Sequence, residues 1–252
     1  MRFLWIVIFF TWPIYAQGNT LQIASSAYAP FVDSDGEGIA ADIIRAAYKS
    51  VSVDSKFLIF PFARSVHSFS RGESKVGFFD ETTLAAKSTK EFQCVPFFAY
   101  EAVLFSKAKI ETKSGKKLSV GLLRGNPFEE KLLRSQGLRL NPVNTLEAMI
   151  KLLHLNRVDL ISTVKLTGYS VIRRILPTEE WEAFQVHAKP YYRGKAGLCY
   201  GKGMEKLRNQ FIQGLKKLRS SGEFERLAKR GLKKHLIGDL DSYYKTYWHN
   251  VK

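Results

Sequence analysis

Apolar positions recur along this chain with two periods, and the two alternate. Residues 21–27, 56–60 and 76–79 are short runs rich in branched and aromatic residues, which the pattern predicts as strands. Between them, residues 38–50 and 64–71 carry helical spacing, the second ending at Gly72, and residues 83–90 form a further helix-prone run. Residues 97–106 predict a long strand that leaves this first unit.

A polar turn at 113–117 opens a second unit. It predicts a strand at 118–122, then Arg124-Gly125-Asn126-Pro127 leading into a helix through Arg134. Residues 144–155 place Leu146, Met149, Ile150 and Leu153 on one helical face, 158–164 reads as a buried strand, and 169–176 as another helix. Residues 184–187 and 197–200 predict strand returning to the first unit. Helical spacing then runs over 204–232, with Leu207, Phe211, Leu215 and Leu218 in one stripe and a break at Gly222. Residues 236–252 carry Tyr243, Tyr244, Tyr247 and Trp248, too many aromatics to leave exposed, so this extension is expected to pack on the body. Strand and helix alternating in this way predict an α/β chain with mainly parallel sheet, built as two units joined by two crossing strands.

The N-terminus changes the picture of where the chain works. Arg2, an apolar run over 3–14 and the small residue Ala16 read as a cleaved secretory signal at residues 1–16. Interrupted by Pro13, that run is shorter than the roughly 20 residues a membrane span needs. The expected location of the mature chain is a periplasm-like space. Such a compartment permits a disulfide between Cys94 and Cys199, although sequence leaves their pairing open. Neither cysteine has neighbours at metal-ligand spacing, and no metal or cofactor is expected.

The formal net charge of +16 raises nucleic acid as a partner. The basic residues (Lys116, Lys117, Lys216, Lys217, Arg226, Arg230, Lys233 and Lys234 among them) are spread over helices and loops, without interleaved aromatics. No nucleic-acid partner is expected. Long-range attraction of anionic ligands or membrane surfaces is the remaining consequence.

An ordered series of short patterns sharpens the reading: Tyr28-Ala-Pro-Phe31, Gly36-Glu-Gly38, Ala41-Asp-Ile-Ile44, Val95-Pro-Phe-Phe98, the stretch from Leu118 to Gly125, and Asn156-Arg-Val-Asp159. In this order and spacing the chain, from about residue 19 to about 232, resembles the bacterial extracellular solute-binding proteins of family 3, the polar-amino-acid-type receptors of ABC importers. The resemblance implies a periplasmic-binding-protein type II-like α/β fold: two lobes joined by two hinge strands, with a ligand cleft between them. Lobe 1 would comprise 17–103 and 192–252, and lobe 2 104–191. It also implies a monomer that presents a small ligand to an ABC permease or a membrane sensor.

Two departures from the family pattern bear on the ligand. Amino-acid receptors carry Thr-x-x-Arg after the third strand, whose Arg grips the ligand carboxylate. Here Ala86 follows Thr83 by three, and the Arg position falls on or beside Lys87. The Asp that binds the ligand ammonium is replaced by Val164, between Thr163 and Lys165. Candidate ligand contacts are then Tyr28 and Phe31 after the first strand, with Phe31 equally readable as a core aromatic. Asp80, Thr82 and Thr83 follow the third strand, and Lys87 and Lys165 supply charge. Arg64, after Phe60-Pro-Phe-Ala, reads either as an anion-gripping residue or as a surface arginine. Gly125 and Asn126 precede Pro127 at a helix start with free backbone N–H groups. Together these residues predict a cationic cleft and a small polar, anionic ligand. Asp159 reads as a structural turn residue.

An enzyme on the same scaffold is the rival reading, since periplasmic dehydratases of prephenate-like acids look similar. Glu37, His67, Asp80 and Glu81 would be its acid–base candidates, but no nucleophile or phosphate motif accompanies them. A partner-binding or sensor module without a small ligand is the third.

Overall fold

The computed structural model describes residues 20–107, 117–236, 238–249 and 251, so the expected signal at 1–16 and all but Lys117 of the expected turn at 113–117 lie outside the described residues. Among the described residues nine strands form one sheet: β1 (Leu21–Ser25), β2 (Ser55–Ile59), β3 (Val76–Asp80), β4 (Phe92–Ser106), β5 (Ser119–Leu123), β6 (Arg139–Val143), β7 (Leu160–Val164), β8 (Gln185–Val186) and β9 (Tyr192–Gly201). Their order is β2-β1-β3-β9-β4-β7-β5-β6, with β8 paired beside β4. The helices are α1 (Ile39–Lys49), α2 (Phe62–Arg71), α3 (Glu81–Ala85), α4 (Pro127–Ser135), α5 (Leu146–His154), α6 (Lys165–Ile175), α7 (Glu205–Ser220), α8 (Glu223–Lys233) and α9 (Leu240–Tyr244).

Pairing is parallel at the two ends of the sheet, β2-β1-β3 and β7-β5-β6. In the middle it is antiparallel, because β4 and β9 run against each other and against β3 and β7. These two strands connect the ends. The first part of β4 pairs with β9 from Phe92↔Gly201 to Ala102↔Tyr192, and its last part, Ala102–Phe105, with β7.

Strand β4 begins five residues before the expected start, since β9 offers partners as far back as Phe92. Strand β6, Arg-Leu-Asn-Pro-Val, was not legible: Pro142 and its polar residues disguise an edge strand, where a missing N–H is tolerated. The helix expected at 83–90 is only the five-residue α3, started by the Asp80 cap. Helix α6 starts four residues earlier than its apolar spacing suggested, directly from β7.

Each end of the sheet has its own core. At the first end α1, α7 and α8 bury Ile43, Ile44, Tyr48, Phe211, Phe224 and Leu227 against β1, β3 and β9. Helices α1 and α7 approach so closely that a Cβ on Gly214 would fall 2.1 Å from the Ala47 carbonyl oxygen. At the other end α5 and α6 bury Met149, Ile150, Leu153, Val171 and Ile172 around Phe105.

The C-terminal extension packs on the first core: Trp248 is fully buried, its ring stacked 4.5 Å from Phe98 and 6.2 Å from Phe31. Cys94 and Cys199 are disulfide-bonded across β4 and β9, closing the pairing that sequence left open. Among the described residues no helix is long and apolar enough to cross a membrane.

Candidate functional site

The site forms where β4 and β9 pass between the two cores. Strand β1 ends at Ser25, and the next residues fold into a turn in which the Phe31 N–H donates to the Tyr28 carbonyl (3.0 Å). The carbonyls of Pro30 and Phe31 accept from Ile39 and Ala40, tying the turn to the start of α1. This needs Gly38: its φ is +129°, and a Cβ there would lie 2.6 Å from the Phe31 oxygen. The turn delivers Tyr28 to the cavity and Phe31 to the cavity's rear wall, where Phe31 stacks on Phe98 at 4.8 Å. Phe31 therefore lines the cavity and is also part of the first core.

Asp80 ends β3 and caps α3. Its Oδ1 accepts from the N–H of Thr82 (2.7 Å) and Thr83 (3.3 Å) and from the Thr82 hydroxyl, while Oδ2 accepts from the Tyr100 hydroxyl at 2.8 Å. On the facing wall, Asn126 caps α4 by accepting from the Glu129 N–H at 3.2 Å. Glu129 answers with its own side chain, from the position a capping box uses but to the side-chain amide: Asn126 Nδ2 donates to Oε2 at 3.3 Å. Glu129 Oε1 accepts from the hydroxyls of Ser162 and Tyr191 (2.7 Å to the latter).

Between these walls lies a cavity that is partly open to solvent. One wall is aromatic (Phe62, Phe78, Phe79, Phe98, Tyr100 and Tyr192), the other largely polar, from Asn126, Glu129, Ser162 and Thr163 with Phe128 and Val164. Among the described residues, Asp80 and Glu129 are the acidic side chains that line the cavity, and no lysine or arginine does. Burial raises the Glu129 carboxyl above the usual range, and the Ser162 and Tyr191 hydrogen bonds oppose that shift. Burial and then the Glu129 charge push the Tyr28 hydroxyl up to about 12, with Asp80 acting in the same direction. Burial likewise raises Tyr100 and Tyr191.

Several contacts join the walls. The Tyr28 hydroxyl lies 3.5 Å from Thr163 Oγ1, Phe128 meets Tyr192 edge-on at 4.9 Å, and Arg174 pairs with Asp33 at 3.3 Å. Gly125, at φ +99°, rests on Ala63 of α2, where a Cβ would come within 2.6 Å of the Ala63 Cβ.

Of the residues singled out from sequence, Tyr28, Phe31, Asp80, Thr83 and Asn126 line the cavity, and Thr82 supports it through Asp80 and the Tyr192 hydroxyl at 3.0 Å. Gly125 serves the approach of the walls. The expected cationic cleft does not form from Arg64, Lys87 and Lys165, none of which lines the cavity. Arg64 is exposed on α2, whose buried face is Ser65, Val66 and Phe69. Lys87 is exposed because α3 has already ended at Ala85, and Lys165 is the half-buried first residue of α6. Asp159 is structural, accepting from the Ser119 N–H at 2.7 Å and hydroxyl at 2.6 Å. Glu129, Tyr100, Ser162, Tyr191 and Tyr192 were missed. Only Glu129 left a local trace, three residues after a capping Asn.

No family model matches the chain, and no curated protein sequence does. Solved structures match over most of its length. A histidine kinase sensor domain with similarity to periplasmic binding proteins superposes with a TM-score of 0.71 at 17% identity, covering 85% of this chain and 96% of that one. The P235GK mutant of ArgBP from T. maritima gives 0.68 at 16% identity, covering 86% and 96%. The amino acid ABC transporter substrate-binding protein AbpA from Streptococcus pneumoniae, bound to L-arginine, gives 0.68 at 14%, covering 88% and 97%. Parallel sheet ends, an antiparallel crossing pair and these superpositions give the chain the periplasmic-binding-protein type II-like fold.

Proposed function

We propose that this chain is a solute-binding protein that captures a small polar ligand between two lobes, 17–103 with 192–252 and 104–191, and presents it to a membrane partner. The observation that carries the reading is the cavity itself. Its walls come from both sides of the β4–β9 crossing, and Tyr28, Gly125 and Arg174 meet partners across it. A cavity split in this way opens and closes by hinge motion in the crossing strands.

The N-terminal pattern supports export to a periplasm, and the monomer is the natural unit for a receptor that visits a membrane partner. An ABC permease and a membrane sensor are both consistent with the neighbours, one of which is an importer's binding protein and another a kinase sensor domain. Those neighbours are not named as enzymes, and Asp80 and Glu129 are each held by neutral donors, an arrangement that serves recognition as readily as proton transfer.

The test is a thermal-shift screen of the mature chain against amino acids, amines, organic acids, sugars and phosphates, with small-angle scattering on any hit. A ligand at about 100 times its dissociation constant adds about 2.7 kcal/mol. A shift accompanied by a smaller radius of gyration supports the reading. Turnover of a hit would overturn it in favour of an enzyme, and silence from every class would overturn it in favour of a partner-binding module.

A further inference from the structure

The charge inside the cavity has the opposite sign to the charge of the chain. The protein carries a formal net charge of +16, yet among the described residues its cavity wall holds two carboxylates and no lysine or arginine. Both carboxylates already accept hydrogen bonds, all from neutral groups: Thr82, Thr83 and Tyr100 at Asp80, and Ser162, Tyr191 and Asn126 at Glu129. Hydroxyls and amides satisfy the oxygen lone pairs but bring no counter-charge to either carboxylate, and at Glu129 burial makes the charged form unfavourable. The same cavity is lined by the aromatic residues Tyr28, Phe62, Tyr100, Phe128 and Tyr192. Aromatic rings beside carboxylates are the surroundings in which a cation gains both a counter-charge and a π-face.

We infer that the cavity takes a small organic ammonium ion with an apolar body and no carboxylate of its own. The inference rests on the solute-binding reading and names its ligand class. An ammonium group placed between the walls neutralises the Asp80 and Glu129 charges, while its hydrocarbon part replaces water against the phenyl rings. A free α-amino acid fits less well, because its carboxylate meets two like charges and no arginine. Burial is the first cause of the raised Glu129 carboxyl and of the raised Tyr28 hydroxyl, and at Tyr28 the Glu129 and Asp80 charges act in the same direction, which agrees with a cavity short of positive charge.

The experiment uses three compounds of matched shape on the mature chain: phenethylamine, phenylalanine and 3-phenylpropanoate, with tetramethylammonium as a second cation, followed by calorimetry and thermal shift. Phenethylamine is expected to bind at least about tenfold more tightly than phenylalanine, with no response to 3-phenylpropanoate. Glu129→Gln keeps an oxygen for Ser162 and Tyr191 but removes the charge, and should weaken phenethylamine binding about tenfold or more. If 3-phenylpropanoate or phenylalanine binds best, the ligand class is overturned while the receptor reading stands. A sugar or phosphate hit in the wider screen, with both cations silent, likewise overturns the ligand class and leaves the receptor reading in place. Silence from all compounds in the wider screen overturns the receptor reading as well.

Discussion

The two walls of the cavity solve the same problem, a carboxylate beside a ligand space, in different ways. On the aromatic wall Asp80 is part of the framework: it caps α3, holds the Tyr100 hydroxyl and follows directly from β3. That wall is continuous with the main core, since Phe98 and Phe31 have the cavity on one side and the Trp248 ring on the other. On the polar wall Glu129 is presented from the first turn of α4, and burial raises its carboxyl rather than lowering it. The first wall is coupled to stability and the second spends stability on a charge. A residue whose ionisation is unfavourable for the folded chain and which nonetheless faces the cavity is the one to associate with ligand.

Substituting Trp248→Ala tests the coupling of the aromatic wall most severely. It removes a fully buried ring and its stack on Phe98, and should destabilise the chain by about 3–5 kcal/mol, measured by urea unfolding. A loss under about 1 kcal/mol would show that the extension merely covers the surface. Asp80→Ala deletes a cap and leaves the Tyr100 hydroxyl without its acceptor, for an expected loss of about 2–4 kcal/mol.

Between the walls, Gly125→Ala forces a Cβ into Ala63 and a side chain onto φ +99°, with an expected loss of about 1–3 kcal/mol. Scattering should report a more open molecule. Combining it with Ala63→Gly relieves the contact but not the backbone conformation, so a partial return of the closed form separates the two causes.

Glu129→Gln is expected to have the smallest effect and the opposite sign. A carboxyl whose folded pKa lies above its unfolded value of about 4.5 favours the protonated folded state. Its ionised form therefore disfavours folding at neutral pH, and the wild-type chain recovers that stability as pH falls through the folded pKa, completely so below about 4.5. The Gln variant should melt higher than wild type at pH 7, and the two should converge below pH ~4.5. A variant that melts lower at pH 7 would mean that Glu129 is a framework residue like Asp80, and the contrast between the walls would be lost.

The strand–helix alternation, the long β4, the terminal helical stripe and the burial of the aromatic extension could all be read along the chain. They depend on periodicity within ten to twenty residues, and periodicity is a local property. Edge strand β6 could not be, because its polar residues and Pro142 hide a segment that pairs only since β5 lies beside it. Position after the third strand made Asp80 and Thr83 visible, and the helix start at Pro127 made Asn126 visible; Glu129, three residues after Asn126, could have been added by the capping rule.

The sign of the cavity was beyond such rules. Lysine and arginine dominate the charged residues of the sequence, and Arg64, Lys87 and Lys165 sat close to the site in sequence order. Which way those side chains face depends on where α2 and α3 roll and stop, and both are set by burial of Val66, Phe69 and Leu84 against neighbouring elements. Tyr100, Ser162, Tyr191 and Tyr192 come from three separate strands and the loop before β9, and they meet only once β4 and β9 cross between the two cores. The sequence by itself determined the elements and their order, through hydrophobic period and helix caps. Tertiary structure alone decided which charges face the cavity, because that follows from packing between elements distant along the chain.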